Sequence, residues 1–250
     1  MSWIPNFFTA INLLGGVVAI ALCIDGRPYE AGLAVMVGYF AGDALDGWIA
    51  RKLGTANQFG AEFDTIADHT SHVIAPAAIV YTVYRDAGLV AAPWDKVLAI
   101  ALAASLIIAV SIRHARNIVA PVEYKGVWAG LPRSVVGFLA IGYCNATVSP
   151  QLPGGWWLGV VLMPAMAIAT LTHLPFPSHH LRRSHRWYVQ VLAALFVAST
   201  LGILVFHTER LFDIVLFWMT GYALTSWLSL TGEERRAYFR TVAETKQARA

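Results

Sequence analysis

The amino-acid sequence predicts an all-α protein that crosses a membrane as a polytopic helical bundle. Charged residues make up only 13% of the 250 residues and hydrophobic residues 57%, whereas soluble domains carry about 25% charged residues. The apolar residues also fall into eight long stretches, each near the length of about 20 residues that spans a bilayer. These two observations exclude a soluble enzyme, a disordered chain and a nucleic-acid-binding module.

The eight predicted spans follow one another along most of the chain. They cover residues 7–24, 31–50, 65–84, 97–112, 134–150, 156–174, 187–206 and 211–230. We therefore expect one membrane domain of eight helices over residues 1–230. Residues 231–250 are charged and are expected to form a short cytoplasmic helix or a frayed tail.

Each span is supported by its own sequence. The first has no basic residues before its apolar run, unlike a secretory signal peptide, so it is expected to be retained. The second contains two aspartates, the third contains one and directly follows another, and the fourth is followed by the basic residue Arg113. The sixth and seventh begin with Trp156 and Trp187, and such aromatic residues are typical of the headgroup region.

Basic residues predict which side of the membrane each loop occupies. All 18 Lys and Arg residues except Arg27, Arg85, Lys96 and Arg210 fall on the side of the N-terminus. By the positive-inside rule that side, and with it both termini, is cytoplasmic. We therefore expect an integral membrane protein with both termini in the cytoplasm.

Four aspartates lie in the second and third spans or directly before the third. Asp43 and Asp46 are three residues apart, Asp64 and Asp68 four apart, so each pair shares a helix face. An intramembrane carboxylate costs about 2.5 to 3.5 kcal/mol on insertion scales and is usually functional. Because clustered carboxylates repel unless cations lie between them, the pattern predicts two Mg²⁺ or Mn²⁺ ions of the kind that assist phosphoryl transfer. An ion-pair network is the alternative, but basic partners are nearly absent from these spans.

The aspartates belong to a longer motif, D-x2-D-G-x2-A-R-x8-G-x3-D-x3-D, which runs from Asp43 to Asp68. Its eight fixed positions resemble the signature of the CDP-alcohol phosphotransferases, membrane enzymes of phospholipid synthesis. The resemblance implies a six-helix core, usually in a homodimer, with a polar cleft open to the cytoplasm. It also implies transfer of a phosphatidyl group from CDP-diacylglycerol to an alcohol, with release of CMP.

The same resemblance implies roles for individual residues. It makes four residues the ligands of two ions: Asp43, Asp46, Asp64 and Asp68. It makes Asp68 also the general base. It assigns five residues to the donor nucleotide: Asn6, Thr9, Gly47, Arg51 and Asn57. Gly47 leaves room beside the helix backbone, and the forked guanidinium of Arg51 suits a phosphate. Helix capping is the alternative for Asn6 and Thr9, and membrane anchoring for Arg51.

The acceptor is predicted from segments outside the motif. Residues 72–77, 113–117 and 130–133 resemble, with departures, segments of the membrane-spanning phosphatidylserine synthases. Serine needs a cation for its carboxylate, and Arg113 and Arg116 lie on one helix face at the end of the fourth span. Membrane anchoring is the alternative for both arginines. Arg133 and Arg183 are further candidates for the lipid phosphate.

Three alternatives stay open. Choline is the leading other acceptor, ahead of inositol phosphate and glycerol phosphate, because phosphatidylcholine synthases also have eight spans. Tyr124, Trp128 and Tyr143 could build an aromatic cage for choline. An ion-coupled carrier could use the same acidic cluster, although no paired repeats are evident. A zinc site could use four further residues, although no spacing puts three of them on one face: His173, His179, His180 and His185.

Overall fold

The computed structural model describes residues 3–178, 187–206, 208–226 and 230–247. The described chain is mostly helical, and the expected all-α membrane fold is confirmed. It divides into two compact units, one up to Ile107 and one from Ile108 onwards. Several predicted candidates lie outside the described residues: Arg183, His179, His180 and His185.

The first unit is built from long helical segments. Helix α1 covers Trp3–Ile24. The second segment runs as α2 (Pro28–Gly38), a π-helical turn (Tyr39–Asp43) and α3 (Ala44–Leu53), and the third as α4 (Gln58–His69), a second π-helical turn (Thr70–Ile74) and α5 (Ala75–Arg85). Helix α6 (Trp94–Val119) starts in this unit and ends in the next. Single π-helical turns are frequent at functional sites, and here each one adjoins an aspartate of the motif.

Two glycine contacts hold α1 against the other two segments. A Cβ atom on Gly42 would lie 2.6 Å from the backbone nitrogen of Asn12, and one on Gly16 would lie 2.9 Å from Cα of Ser71. Neither leaves space for a side chain. Within a bilayer such small residues let helix backbones approach closely. Helix α1 is therefore in contact with the segment that carries Asp43 and with the segment that carries Asp68.

The second unit contains the end of α6 and the rest of the chain. Its further elements are β1 (Val127–Ala129), α7 (Arg133–Asn145), α8 (Trp156–Leu171), β2 (Pro175–Pro177), α9 (Trp187–Phe206), α10 (Leu211–Thr225) and α11 (Gly232–Gln247). The strands pair antiparallel, with Trp128 opposite Phe176. Helix α7 is buried from Val135 to Cys144 and packs against α10. It forms the centre of this unit.

The C-terminal helix α11 packs onto the chain around β1. Tyr238 is fully buried, and its hydroxyl donates a hydrogen bond to the carbonyl oxygen of His173 over 2.9 Å. Its ring meets Tyr124 edge-on, with the centroids 5.6 Å apart. Val242 joins the same cluster beside Val127. Burial raises the pKa of Tyr238 to about 12, so its hydroxyl keeps its proton. Of the two forms expected for this segment, the helix is the one found.

Helix lengths differ from some of the predicted spans. Among the described residues, three helical segments are long and apolar enough to cross a membrane: Trp3–Ile24, Pro28–Leu53 and Trp94–Val119. The fifth predicted span, 134–150, ends early, because the chain becomes extended at Ala146. Thirteen helical residues cover about 20 Å, less than the ~30 Å hydrocarbon core. Hydropathy marks burial as well as membrane depth, so it overstated the length of this helix.

Candidate active site

The aspartates of the two motif segments converge, as their spacing predicts. Oxygen atoms of Asp43, Asp46 and Asp64 lie within 4.8 Å of one another. Asp43 ends the first π-helical turn and Asp46 lies in the first turn of α3, whereas Asp64 lies within α4. The hairpin between α3 and α4 thus brings three like charges to one place.

A second group joins Asp43 to the last aspartate of the motif. Oxygen atoms of Asp43 and Asp68 and a ring nitrogen of His72 also lie within 4.8 Å of one another. His72 Nε2 is 3.5 Å from Asp68 Oδ1 and 3.9 Å from Asp43 Oδ2. Asp43 is therefore common to both groups.

Helix α1 supplies neutral hydrogen-bond donors to two of the aspartates. The hydroxyl of Thr9 donates to Asp46 Oδ2 over 2.7 Å, and the side-chain amide of Asn12 donates to Asp68 Oδ1 over 3.0 Å. All four residues are buried. A hydrogen bond to a charged group contributes about 1.5 to 3 kcal/mol. Thr9, which was predicted to contact the nucleotide, therefore orients an aspartate in this structure.

Sequence reasoning missed Asn12 and His72 as site residues. Asn12 lies three residues after Thr9 on α1, and His72 lies four residues after Asp68. Such spacings put each residue on the same helix face as a predicted site residue. This signal could have found both, but a lone amide or imidazole in an apolar span does not attract attention by itself.

Asn6 and Asn57 both lie beside Gly60. A Cβ atom on Gly60 would lie 3.4 Å from Asn6 Oδ1 and 3.9 Å from Asn57 Oδ1. Asn57 caps α4, because its Oδ1 accepts a hydrogen bond from the Gly60 backbone over 3.0 Å. Asn6 is 7% exposed, and its side-chain nitrogen is buried without a hydrogen-bond partner. Of the two, Asn6 keeps a buried donor that a ligand could use.

Arg51 lies next to Gly47, which precedes it by one turn of α3. A Cβ atom on Gly47 would lie 3.2 Å from Arg51 Nη1, so the missing side chain leaves room for the guanidinium group. Arg51 is exposed in the last turn of the helix. Its neighbour Lys52 lies 4.7 Å from the ring centre of Trp48, in a cation–π contact. Arg51 is therefore placed to meet an anion that approaches α3.

In the second unit, both predicted acceptor arginines bind backbone carbonyl groups. Arg113 Nε donates to the Ala129 oxygen over 3.2 Å. Arg116 donates to the same oxygen over 3.2 Å and to the Leu171 oxygen over 2.7 Å. A carbonyl group in the last turn of α8 thus accepts a hydrogen bond from a cation, and a positive charge at this end of a helix is favoured by the helix dipole. Arg113 is 7% exposed, and its Nη2 atom is buried without a hydrogen-bond partner. Of the two, Arg113 keeps a donor for a ligand.

The three aromatic residues considered for choline do not form one cage. Tyr124 and Trp128 line a pocket of about 540 Å³ in the second unit. Tyr143 lies in the last turn of α7, where its hydroxyl donates to the Gly155 oxygen. Trp128 lies in β1, and Tyr143 is not among the residues that line this pocket.

The chemistry of the acidic groups fits divalent cations. Three carboxylates within 4.8 Å of one another repel unless positive charge lies between them. The donors Thr9 and Asn12 are neutral, so they orient the carboxylates without cancelling their charge. Mg²⁺ and Mn²⁺ take oxygen ligands of this kind. The acidic cluster could therefore hold metal ions.

Fold and site together define an integral membrane enzyme whose acidic residues lie within its helical bundle. The sequence profile of one family, the CDP-alcohol phosphatidyltransferases, matches residues 2–172. The chain belongs to the CDP-alcohol phosphatidyltransferase family. The family predicted from the aspartate motif is thus confirmed, and so is the expectation of an enzyme that transfers phosphatidyl groups.

Relatives within this family are enzymes of lipid synthesis. The chain is similar to a CDP-diacylglycerol–serine O-phosphatidyltransferase of Methanocaldococcus jannaschii, with 26% identity over 200 residues, 80% of this chain and 84% of the relative. An enzyme with the same name from Mycobacterium leprae is 23% identical over 201 residues, 77% of this chain and 64% of the relative. An archaetidylserine synthase of Methanothermobacter thermautotrophicus is 33% identical over 85 residues, 33% of this chain and 36% of the relative. The chain thus spans most of the first relative and less than two thirds of the other two.

Proposed function

We propose that this protein transfers the phosphatidyl group of CDP-diacylglycerol to the hydroxyl of L-serine, giving phosphatidylserine and CMP. The observation that carries the proposal is the convergence of Asp43, Asp46 and Asp64 within 4.8 Å on segments that bear the family motif. The names of the three relatives support serine, because each one specifies serine or a serine lipid.

Two Mg²⁺ or Mn²⁺ ions are assigned to the acidic cluster. Their ligands are Asp43, Asp46, Asp64 and Asp68, with Asp43 shared between the two groups of atoms. When bound, the ions would offset the negative charge of the donor pyrophosphate. Thr9 and Asn12 on α1 orient two of these carboxylates for the ions, because a carboxylate that accepts a fixed hydrogen bond keeps its orientation.

Proton transfer is assigned to Asp68. The hydroxyl oxygen of serine forms a bond to the phosphorus that carries diacylglycerol, and the bond from that phosphorus to the phosphate oxygen of CMP breaks. The hydroxyl proton passes to the carboxylate of Asp68. Asn12 donates to Asp68 Oδ1 over 3.0 Å and so fixes the direction of that carboxylate. A positioned acid or base contributes about 10² to 10⁴-fold to the rate.

Donor binding is assigned to Asn6, Gly47 and Arg51. The buried amide nitrogen of Asn6 has no partner in the protein, which suits a polar edge of the cytosine or ribose. Arg51 lies exposed beside Gly47, which suits a phosphate. Thr9 and Asn57 act indirectly, Thr9 through Asp46 and Asn57 by capping α4.

Acceptor recognition is assigned to Arg113, with Arg116 in support. The Nη2 atom of Arg113 is buried without a partner, and a buried guanidinium donor suits a carboxylate such as that of serine. Arg116 is bound to the end of α8 and to Ala129. Its contribution is to fix the strand whose carbonyl oxygen also holds Arg113.

The protein is assigned to a bacterial inner membrane, as a homodimer, which is usual in the family. Residues 1–230 are the membrane-embedded catalytic domain and residues 231–250 are a cytoplasmic segment. Both termini lie in the cytoplasm, and the site opens to that side. The distribution of Lys and Arg along the sequence supports this orientation.

The direct test gives the purified protein CDP-diacylglycerol and one labelled alcohol at a time, with Mg²⁺ or Mn²⁺, and identifies the lipid formed. The alcohols are serine, choline, inositol phosphate and glycerol phosphate. We expect phosphatidylserine and an equal amount of CMP. Phosphatidylcholine without phosphatidylserine would contradict the acceptor but keep the transfer reaction. No CMP release with any alcohol would contradict the transfer reaction and favour an ion-coupled carrier.

A further inference from the structure

His72 is a buried imidazole within the aspartate group that the family motif does not explain. It lies in the second π-helical turn and is 1% exposed. Its Nε2 atom is 3.5 Å from Asp68 Oδ1 and 3.9 Å from Asp43 Oδ2. Tyr39 packs edge-on against the ring, with the centroids 5.8 Å apart. The imidazole is therefore held with one nitrogen towards two carboxylates.

These distances are too long for direct hydrogen bonds but suit a shared ion. Hydrogen bonds from nitrogen to oxygen are about 2.7 to 3.2 Å long. Around an ion with bonds of about 2.1 Å, ligand atoms at right angles are about 3.0 Å apart and opposite ligand atoms about 4.2 Å apart. The separations of 3.5 and 3.9 Å fall between these limits. The oxygen atoms of Asp43 and Asp68 lie within 4.8 Å of each other, so one ion could contact all three atoms once the carboxylates adjust.

We propose that His72 is a nitrogen ligand of one of the two metal ions, which it shares with Asp43 and Asp68. This inference rests on the proposed two-ion site. The other ion, held by Asp43, Asp46 and Asp64, has only oxygen ligands from these side chains.

The two ion positions therefore differ in chemistry. Imidazole nitrogen suits transition-metal ions, whereas carboxylate and water oxygens suit Mg²⁺ and Mn²⁺ alike. The position next to His72 selects Mn²⁺ over Mg²⁺, and the all-oxygen position discriminates less between them. A substitution of His72 lowers this selectivity and leaves the all-oxygen position in place.

The test is pulsed electron paramagnetic resonance of Mn²⁺ bound to the purified, unsubstituted protein without substrates. Modulation from a directly bound ¹⁴N nucleus is expected, and it should change to the ¹⁵N pattern when the protein is made with ¹⁵N-histidine. This measurement needs no substitution, so it does not depend on whether a variant folds. His72→Phe should lose the nitrogen signal and weaken Mn²⁺ binding by about tenfold, with little change for Mg²⁺.

His69→Gln is the matched control, because His69 is half-buried in the same segment three residues earlier. It should keep both the nitrogen signal and the affinity for Mn²⁺. One contrary result is that the unsubstituted protein binds Mn²⁺ without a nitrogen signal, while the Asp64→Asn variant no longer binds Mn²⁺. That result would overturn the role of His72 while keeping the two-ion site. No Mn²⁺ binding to the unsubstituted protein would overturn both, and phosphatidyl transfer that is unaffected by EDTA would then confirm the failure of the ion site.

Discussion

The two units of the protein bury charge in opposite ways. In the first, three aspartate carboxylates lie within 4.8 Å of one another, and the neutral donors Thr9 and Asn12 of α1 bind one of these and the nearby Asp68. In the second, Arg113 and Arg116 bind the carbonyl oxygens of β1 and of the end of α8. Carbonyl dipoles satisfy the guanidinium donors of Arg116, whereas Arg113 keeps one buried donor without a partner. Neutral donors leave the summed charge of the aspartates in place, so that group could hold cations.

This difference separates structural charge from functional charge. Arg116 uses its donors on the protein itself, although its position at the end of the fourth span alone would have suggested a binding role. Asp43 belongs to two groups of candidate ligand atoms, which an isolated structural carboxylate would not need. What a buried charge does is thus decided by its partners more than by its depth.

Removal of one carboxylate should have the largest effect on the aspartate group. Asp64→Asn or Asp43→Asn should reduce phosphatidyl transfer to background, because each ion contributes several kcal/mol of transition-state stabilisation. Asp86→Asn is a matched control, since Asp86 is an exposed carboxylate that pairs with Arg85. Transfer is measured as CMP release from CDP-diacylglycerol. Full turnover in excess EDTA would contradict the two-ion site.

Asp68→Asn should have the next largest effect on phosphatidyl transfer, and it should lower turnover without lowering donor binding. Loss of the base should lower kcat by about 10² to 10⁴-fold, while binding of CDP-diacylglycerol is kept, because the other three carboxylates remain. Binding and turnover are measured separately, by equilibrium titration and by lipid product. A parallel fall of both would mean that Asp68 retains the ions or the fold and does not take the proton.

Substitutions of Arg113 and Arg116 should have different effects, because Arg113 is proposed to bind serine and Arg116 to support the fold around it. Loss of a hydrogen bond between charged partners costs about 1.5 to 3 kcal/mol, so Arg113→Ala should lower kcat/KM for serine by about ten to a hundredfold. Arg116→Ala should chiefly lower thermal stability, because it frees carbonyl groups of α8 and β1. Serine kinetics and thermal unfolding are measured for both variants. Equal changes of KM in the two would contradict the separation.

The sequence predicted those parts of the site that depend on local spacing. The membrane fold and the convergence of Asp43, Asp46 and Asp64 follow from hydropathy, helical periodicity and one short hairpin. The contact of Thr9 with Asp46 could not be predicted in this way, since it requires α1 to approach within the space left by Gly42. Contacts between distant segments depend on packing, which a single sequence does not display.

The arginines illustrate the same limit. Their position at the end of the fourth span was evident from the sequence, as was their shared helix face. That Arg116 binds the last carbonyl groups of α8 depends on residues 55 positions apart in the chain coming together. By contrast, the end of α7 at Asn145 could have been foreseen, because Thr147, Ser149 and Pro150 follow it and such residues are typical of turns.

Helix α11, at the polar end of the chain, covers strand β1. Tyr238 and Val242 pack against Val127 and Ala129, and the Ala129 oxygen is the atom to which both arginines are bound. A protease that cut before residue 232 would spare every residue of the aspartate motif. It would nevertheless uncover these apolar side chains and loosen the anchor of two guanidinium groups. A fusion partner therefore belongs after Gln247, where it leaves the cover intact.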